Sequence, residues 1–239
     1  MACLSCHFFS ESLGLSTSME VILPQSTGQG QVGLRGSRSR PAYPVLYLLH
    51  GWSDDETIWM RRTSIERYVA ELGLVVVMPR VGLSYYQNTA SGMRYWDFIS
   101  EELPALCQHW FPISERRDET FAAGLSMGGY GAFRLGLSQP GRFAAVASLS
   151  GALDVRRAFR RTEKDPERAR KQEAIFGPGM KELGTDSDLF DLANALGSHS
   201  DPVPRFYQWC GAEDFLYQDN LRFRDHARTA GLDLTCREG

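Results

Sequence analysis

Thr120-Phe121-Ala122-Ala123-Gly124-Leu125-Ser126-Met127-Gly128-Gly129-Tyr130-Gly131-Ala132-Phe133-Arg134-Leu135-Gly136-Leu137 decides which class of fold this chain adopts. Thr120 to Gly124 reads as a strand. From Gly128 the pattern becomes that of a helix, which Pro140 ends. Between the two lies Gly124-x-Ser126-x-Gly128, and the spacing has a mechanical reason. A serine on a strained strand-to-helix turn stands proud of the sheet, and a side chain at either flanking position would collide with neighbouring backbone. Gly129, Gly131 and Ala132 let the helix lie close to its strand. The helix N-terminus also brings positive dipole and free N–H groups beside Ser126, where an oxyanion would develop.

Outward from this segment, strands and helices alternate. Pro44 to Gly51 is a continuous apolar run closed by glycine, and Leu74 to Met78 is a second, stopped by Pro79. Residues 55–71 and Tyr95 to Trp110 carry helical patterns. Phe143 to Leu149, Arg205 to Cys210 and Leu232 to Cys236 are predicted strands, with a helix over Asp219 to Ala230. Such alternation predicts βαβ crossovers: an α/β fold with a mostly parallel sheet and helices on both faces. Residues 3–10 and 16–23, joined across Gly14, are expected as an antiparallel hairpin at one edge. Between Gly151 and Pro204 no strand signal occurs. Two or three helical stretches there, including the charged Asp154 to Lys171, make residues 152–204 a candidate cap on a single domain of residues 1–239.

Composition narrows the function. The 26 basic and 29 acidic side chains give a net charge of −3, so no global basic field attracts nucleic acid or an anionic membrane. The longest apolar run, Leu72 to Met78, is far short of the roughly 20 residues of a membrane helix. A hydrophobic fraction of 43% excludes a disordered chain. The five cysteines, Cys3, Cys6, Cys107, Cys210 and Cys236, are odd in number and scattered, unlike a disulfide framework. Cys3-x-x-Cys6 lacks the second pair that zinc requires and falls in a predicted edge strand, so no metal is expected. The N-terminus has no signal-peptide pattern, which makes the cytoplasm the expected location. Gly28-Gln29-Gly30-Gln31-Val32-Gly33 matches a dinucleotide fingerprint, but no helix start follows it, and a loop is expected. Arg156, Arg157, Arg160, Arg161, Arg168, Arg170 and Lys171 alternate with Glu163, Asp165, Glu167 and Glu173, the pattern of a solvated helical face.

Ser126 therefore has the context of a catalytic nucleophile. An oxyanion hole needs the N–H of Met127 and a second donor, for which the N–H of Trp52 is the candidate, since ligands bind at the carboxyl ends of strands. His50 precedes Ser126 in the chain, and triads of this type run Ser, Asp, His. Its ring is expected to bond backbone and shape the loop. The acid is assigned to Asp214 in Gly211-Ala212-Glu213-Asp214, after a predicted strand, in preference to Glu213 or Asp219. Its task would be to orient a histidine and stabilise the imidazolium; a helix N-cap or turn carboxylate is the competing role. Among the residues that follow predicted strands, Gly51, Tyr85 and Phe215 are the candidate substrate-binding positions.

Together several motifs resemble the esterase D superfamily, and within it the bacterial tributyrin-type esterases. They are His50-Gly51 with Trp59, Arg61 to Arg67, Tyr95 to Pro104 with Glu101-Glu102-Leu103-Pro104, the Gly124 to Gly131 elbow, and Cys210 to Tyr217. The likeness spans residues 3–238. It implies an α/β-hydrolase fold and hydrolysis of short acyl esters without metal or organic cofactor, with Ser126 and Asp214 in the triad and Trp52 and Met127 as oxyanion donors. The family's histidine follows the last strand. Here Arg237-Glu238-Gly239 follows, and His7, His50, His109, His199 and His226 are all poorly placed to serve. The histidine is expected beyond Gly239, with one further helix; without it the chain would be inactive. The expected function is a serine carboxylesterase acting on small-molecule esters. S-formylglutathione hydrolase or an acetyl or feruloyl esterase are alternatives, and a catalytically dead hydrolase-fold binding protein is the non-enzyme alternative. Homo-oligomerisation is left open.

Overall fold

The computed structural model describes residues 1–26, 39–161, 164–181, 183–197 and 202–239. The glycine-rich stretch 28–33, Glu163 and His199 lie outside the described residues. The chain opens with the expected hairpin, β1 (Ala2–Ser10) and β2 (Leu15–Leu23), paired antiparallel from Ala2 opposite Leu23 to Ser10 opposite Leu15. Gly14 turns the hairpin at φ 65°. Then come β3 (Val45–Leu49), β4 (Val75–Pro79), β5 (Thr120–Leu125), β6 (Ala145–Leu149), β7 (Arg205–Cys210) and β8 (Leu234–Glu238). Among the described residues they form one sheet in the order β1-β2-β4-β3-β5-β6-β7-β8. β2 runs antiparallel to β4, and every pairing from β4 to β8 is parallel.

The helices depart from the expected patterns where one residue intervenes. The helix expected over 55–71 is two, α1 (Ile58–Arg62) and α2 (Ile65–Val69), broken where Thr63 is extended at φ −137°. The Thr63 hydroxyl donates to the Trp59 carbonyl and accepts from the Ile65 N–H, closing one helix and opening the next. The helix expected over Tyr95 to Trp110 runs as α3 (Tyr95–Asp97), a π turn at Phe98–Glu102 and α4 (Leu103–Trp110). Pro104 cannot return an N–H to the carbonyl four residues back. That carbonyl, of Ser100, accepts instead from the Arg142 guanidinium and from Gln139 Nε2.

The nucleophile strand continues into α5 (Met127–Ser138), whose residues from Met127 to Leu137 are all buried. Between β6 and β7 the described chain holds α6 (Val155–Arg160), α7 (Pro166–Phe176) and α8 (Leu189–Gly197). The predicted Asp154–Lys171 stretch is thus two helices, the second capped by Asp165 Oδ1, which accepts from Arg168 and Glu167 N–H groups. Helix α9 (Tyr217–Thr229) joins β7 to β8. No described helix is long and apolar enough to cross a membrane.

Contact at the elbow is backbone to backbone. A Cβ on Gly128 would lie 2.3 Å from the Leu49 carbonyl oxygen, and one on Gly124 2.2 Å from the Gly128 carbonyl oxygen. Gly141, by contrast, has nothing within 4 Å of such a Cβ. Gly128→Ala is expected to cost about 1–3 kcal/mol or more, the range for overpacking against atoms that cannot yield. Gly141→Ala should stay within about 0.5 kcal/mol of the parent. Urea unfolding midpoints of the two variants check this.

Candidate active site

Ser126 begins α5 with φ 55° and ψ −115°, a conformation that L-residues adopt at a cost of about 1–3 kcal/mol. Three backbone bonds hold it there. Its N–H donates to the Leu149 carbonyl at 3.0 Å, and its carbonyl accepts from Tyr130 at 3.2 Å and Ala152 at 3.0 Å. At the start of α5 the first N–H groups, from Met127 onward, have no acceptor within the helix.

β3 ends beside this turn, Leu49 lying opposite Gly124 in the sheet. His50 follows, buried, and its ring is used twice. Nε2 accepts from the Val81 N–H at 3.1 Å, which places the proton on Nδ1, and Nδ1–H donates to the Gly51 carbonyl at 2.8 Å. Burial holds this imidazole below its ordinary pKa, so it is neutral. His50 thus bonds backbone, as expected from the sequence. Its own carbonyl accepts from the Tyr86 hydroxyl at 2.9 Å.

Tyr85 and Tyr86 are both left-handed, at φ 51° and 54°. Arg134 of α5 is buried and holds them. Its Nη1 donates to the Tyr86 carbonyl at 2.9 Å and to Gln87 Oε1 at 2.8 Å, and its guanidinium lies 3.8 Å over the Trp96 ring. Burial pushes the Arg134 pKa down. Gln87 Nε2 in turn donates to the Tyr130 hydroxyl, which donates to the Ser187 carbonyl at 2.7 Å.

Asp214 is half-buried in the turn after β7. Its Oδ1 accepts from the Leu216 N–H at 2.8 Å, a turn bond and not a helix cap; no described residue bonds Oδ2. Glu213 is exposed. Asp219, one turn into α9, is fully buried and paired with Arg161 and with Arg157 Nε at 3.3 Å. Burial outweighs these two arginines and raises the Asp219 pKa. The Gly239 carbonyl accepts from the Ala212 N–H at 2.8 Å, so the end of β8 lies against the Asp214 turn.

A cavity of about 190 Å³ opens over Ser126. Trp52, Tyr85 and Phe215, named from sequence, line it with Ser126. Gly51 sits beneath, an ideal Cβ there being 3.5 Å from Ser126 Cβ, and Asp214 adjoins Phe215 without lining the space. The β6–β7 connection supplies residues that sequence reasoning missed: Ala158 and Phe159 of α6, and Arg168 and Gln172 of α7. Phe159 packs edge-on to Tyr85 at 5.2 Å. The basic run is therefore not simply a solvated face, since Arg157 and Arg161 pair with buried Asp219 and Arg168 reaches the cavity. His7 lies on β1, His109 on α4, and His226 Nε2 contacts the Phe190 carbonyl at 3.0 Å; no described histidine bonds Ser126.

The Esterase family model matches residues 10–229. The chain belongs to the Esterase family, and it is a carboxylic ester hydrolase with the α/β-hydrolase fold. Among relatives of this family member, an acetyl esterase of Caldicellulosiruptor saccharolyticus is 28% identical over 243 residues, covering 100% of this chain and 90% of the relative. The structure of FphF, a fluorophosphonate-binding serine hydrolase of Staphylococcus aureus, superposes with a TM-score of 0.86 at 35% identity, over 100% of this chain and 90% of the other. An S-formylglutathione hydrolase from the same organism gives 0.84 at 34% identity with the same coverage.

The neutral His50 has a pH consequence. Its folded pKa lies below the unfolded value of 6.5, so as pH falls below about 6.5 the unfolded chain takes up the proton first. Stability contributed by neutral His50 is full above that pH and declines below it, by up to about 1.4 kcal/mol per pH unit. Urea unfolding at pH 7.5, 6.5 and 5.5 should show this slope, and His50→Gln should flatten it while lowering stability at pH 7.5.

Proposed function

We propose that this protein is a serine carboxylesterase that hydrolyses short-chain acyl esters through an acyl-enzyme on Ser126. The observation that carries this reading is the strained Ser126 turn opening onto a small, largely apolar cavity. Ser126 Oγ attacks the ester carbonyl while its proton passes to a histidine. The alcohol leaves with that proton, and water then releases the acid by the reverse steps. The N–H groups of Met127 and Trp52 hold the oxyanion. For Trp52 a local constraint supports the assignment. His50 Nδ1–H fixes the Gly51 carbonyl, and in a planar trans peptide the N–H of the next residue points the opposite way.

Asp214 orients the histidine through Oδ2, its Oδ1 being committed to the start of α9. The end of β8 lies against this same turn, the Gly239 carbonyl accepting from the Ala212 N–H. The chain is read as one domain, with residues 152–204 as its cap. A cavity of about 190 Å³ equals the volume of roughly six waters at about 30 Å³ each, which suits an acyl group of a few carbons. S-formylglutathione hydrolysis is the second reading, favoured by the 34% identical structure of that activity.

On full-length protein, a series of 4-nitrophenyl esters from acetate to octanoate, with S-formylglutathione alongside, is expected to peak at acetyl to butyryl. It should fall by about tenfold or more at octanoyl, as for groups that outgrow a closed pocket. Ser126→Ala should lose at least about 10³-fold in kcat and all labelling by a fluorophosphonate probe, with an unchanged circular dichroism spectrum. Retained turnover in that variant would overturn the nucleophile; a parent enzyme inert to every ester would favour the binding-protein alternative.

A further inference from the structure

Seven of the ten residues lining the cavity are apolar or aromatic: Trp52, Tyr85, Ala152, Ala158, Phe159, Phe215 and Leu216. The other three are Ser126 at the base and two side chains of one helix, Arg168 and Gln172. These two stand four residues apart on α7, hence on one helical face, and both present N–H donors. No described lining residue is acidic. Arg168 forms a solvent-exposed ion pair with Asp165, whose Oδ2 lies 3.6 Å from Arg168 Nε, while Asp165 Oδ1 accepts from two N–H groups at the start of α7. A chain of net charge −3 thus places a cation among the described residues that line its reactive cavity.

A neutral alkyl ester has no use for a guanidinium. It would leave the wall apolar, as α6 does with Ala158 and Phe159. A carboxylate carried by the substrate at a distance from its reacting carbonyl would use it, since the planar guanidinium meets a carboxylate with two parallel N–H bonds and an amide N–H can add a third. We propose that the preferred substrates are esters or thioesters bearing a carboxylate remote from the scissile bond, recognised by Arg168 with Gln172. This inference rests on the esterase reading above and names the substrate class of that same site. The carboxylate can reside in the acyl part or in the leaving group, and the test separates the two. Arg168 is mostly solvent-exposed, so the preference is modest and salt-sensitive.

Two isosteric pairs decide it: the mono-4-nitrophenyl ester of glutaric acid against that of glutaramic acid, and 3-acetoxybenzoate against 3-acetoxybenzamide. The readout is the ratio of kcat/KM for carboxylate over carboxamide, so any general effect of a variant cancels. The parent enzyme is expected to favour the carboxylate by about fivefold in one pair at low salt, and less in 0.5 M NaCl. Arg168→Gln should bring that ratio near one, and Arg168→Glu should invert it. A ratio that is the same in parent and Arg168→Gln for both pairs overturns the inference while leaving the esterase reading intact. If no ester is turned over, the esterase reading fails. The same ratios, measured as dissociation constants on Ser126→Ala by calorimetry, then still decide whether Arg168 recognises the charge.

Discussion

Where Gly128 meets the end of β3 there is no room for a side chain, because the Leu49 carbonyl oxygen already occupies the space. Most of the site follows from this contact. It presses the first turn of α5 onto the strand end that continues into His50, Gly51 and Trp52. The start of a helix and a strand-end loop, at Gly51, are thereby brought beside the same serine. Ser126 itself is left in a left-handed conformation, which the three backbone bonds to Leu149, Tyr130 and Ala152 over-determine. Close packing of this kind tolerates no adjustment, so the local strain persists instead of relaxing.

A second support is polar. Helix α5 is buried all round, yet it carries Arg134, whose charge is removed from water without a carboxylate within ion-pair reach among the described residues. The cost is offset by two oxygen acceptors and the face of Trp96. In exchange, the left-handed pair Tyr85 and Tyr86 is fixed from below. One of these rings walls the cavity, and the other's hydroxyl steadies the carbonyl of His50. A hydrocarbon side chain at position 134 would fill the volume but would leave the Tyr86 carbonyl without this donor.

The strands were legible because a strand buried on both faces can only be a short apolar run, and the sequence between Pro44 and Leu149 repeats that signature. The elbow was legible because only glycine meets its steric demand. Tyr85 and Phe215, which line the cavity, could be named as substrate-binding candidates because the ends of parallel strands converge. Residues of α6 and α7 could not. On a helix, alternating charge looks the same whether the face meets water, a buried aspartate or a substrate cavity, and nothing local separates Arg157 and Arg168 from their solvated neighbours. Asp214 shows a different limit. A turn that opens a helix and a triad that orients a histidine both call for an acid at that point, so residue type alone cannot separate the two roles. The breaks at Thr63 and before Pro104 are decided by side-chain hydrogen bonds, of Thr63 Oγ1 and of Arg142 and Gln139, that no periodicity reports.

Five of the ten described lining residues, Ala152, Ala158, Phe159, Arg168 and Gln172, come from the connection between β6 and β7. Those two strands pair in parallel register from Ala145 opposite Arg205 to Leu149 opposite Trp209. That connection contributes no strand among the described residues, and the ladder beside it closes without it. Helices α6 and α7 thus reach the cavity from outside the sheet while Phe159 and Phe176 anchor them in the core. Gly128, by contrast, lies within the turn that carries the nucleophile itself, so the two parts of the site rest on separate supports.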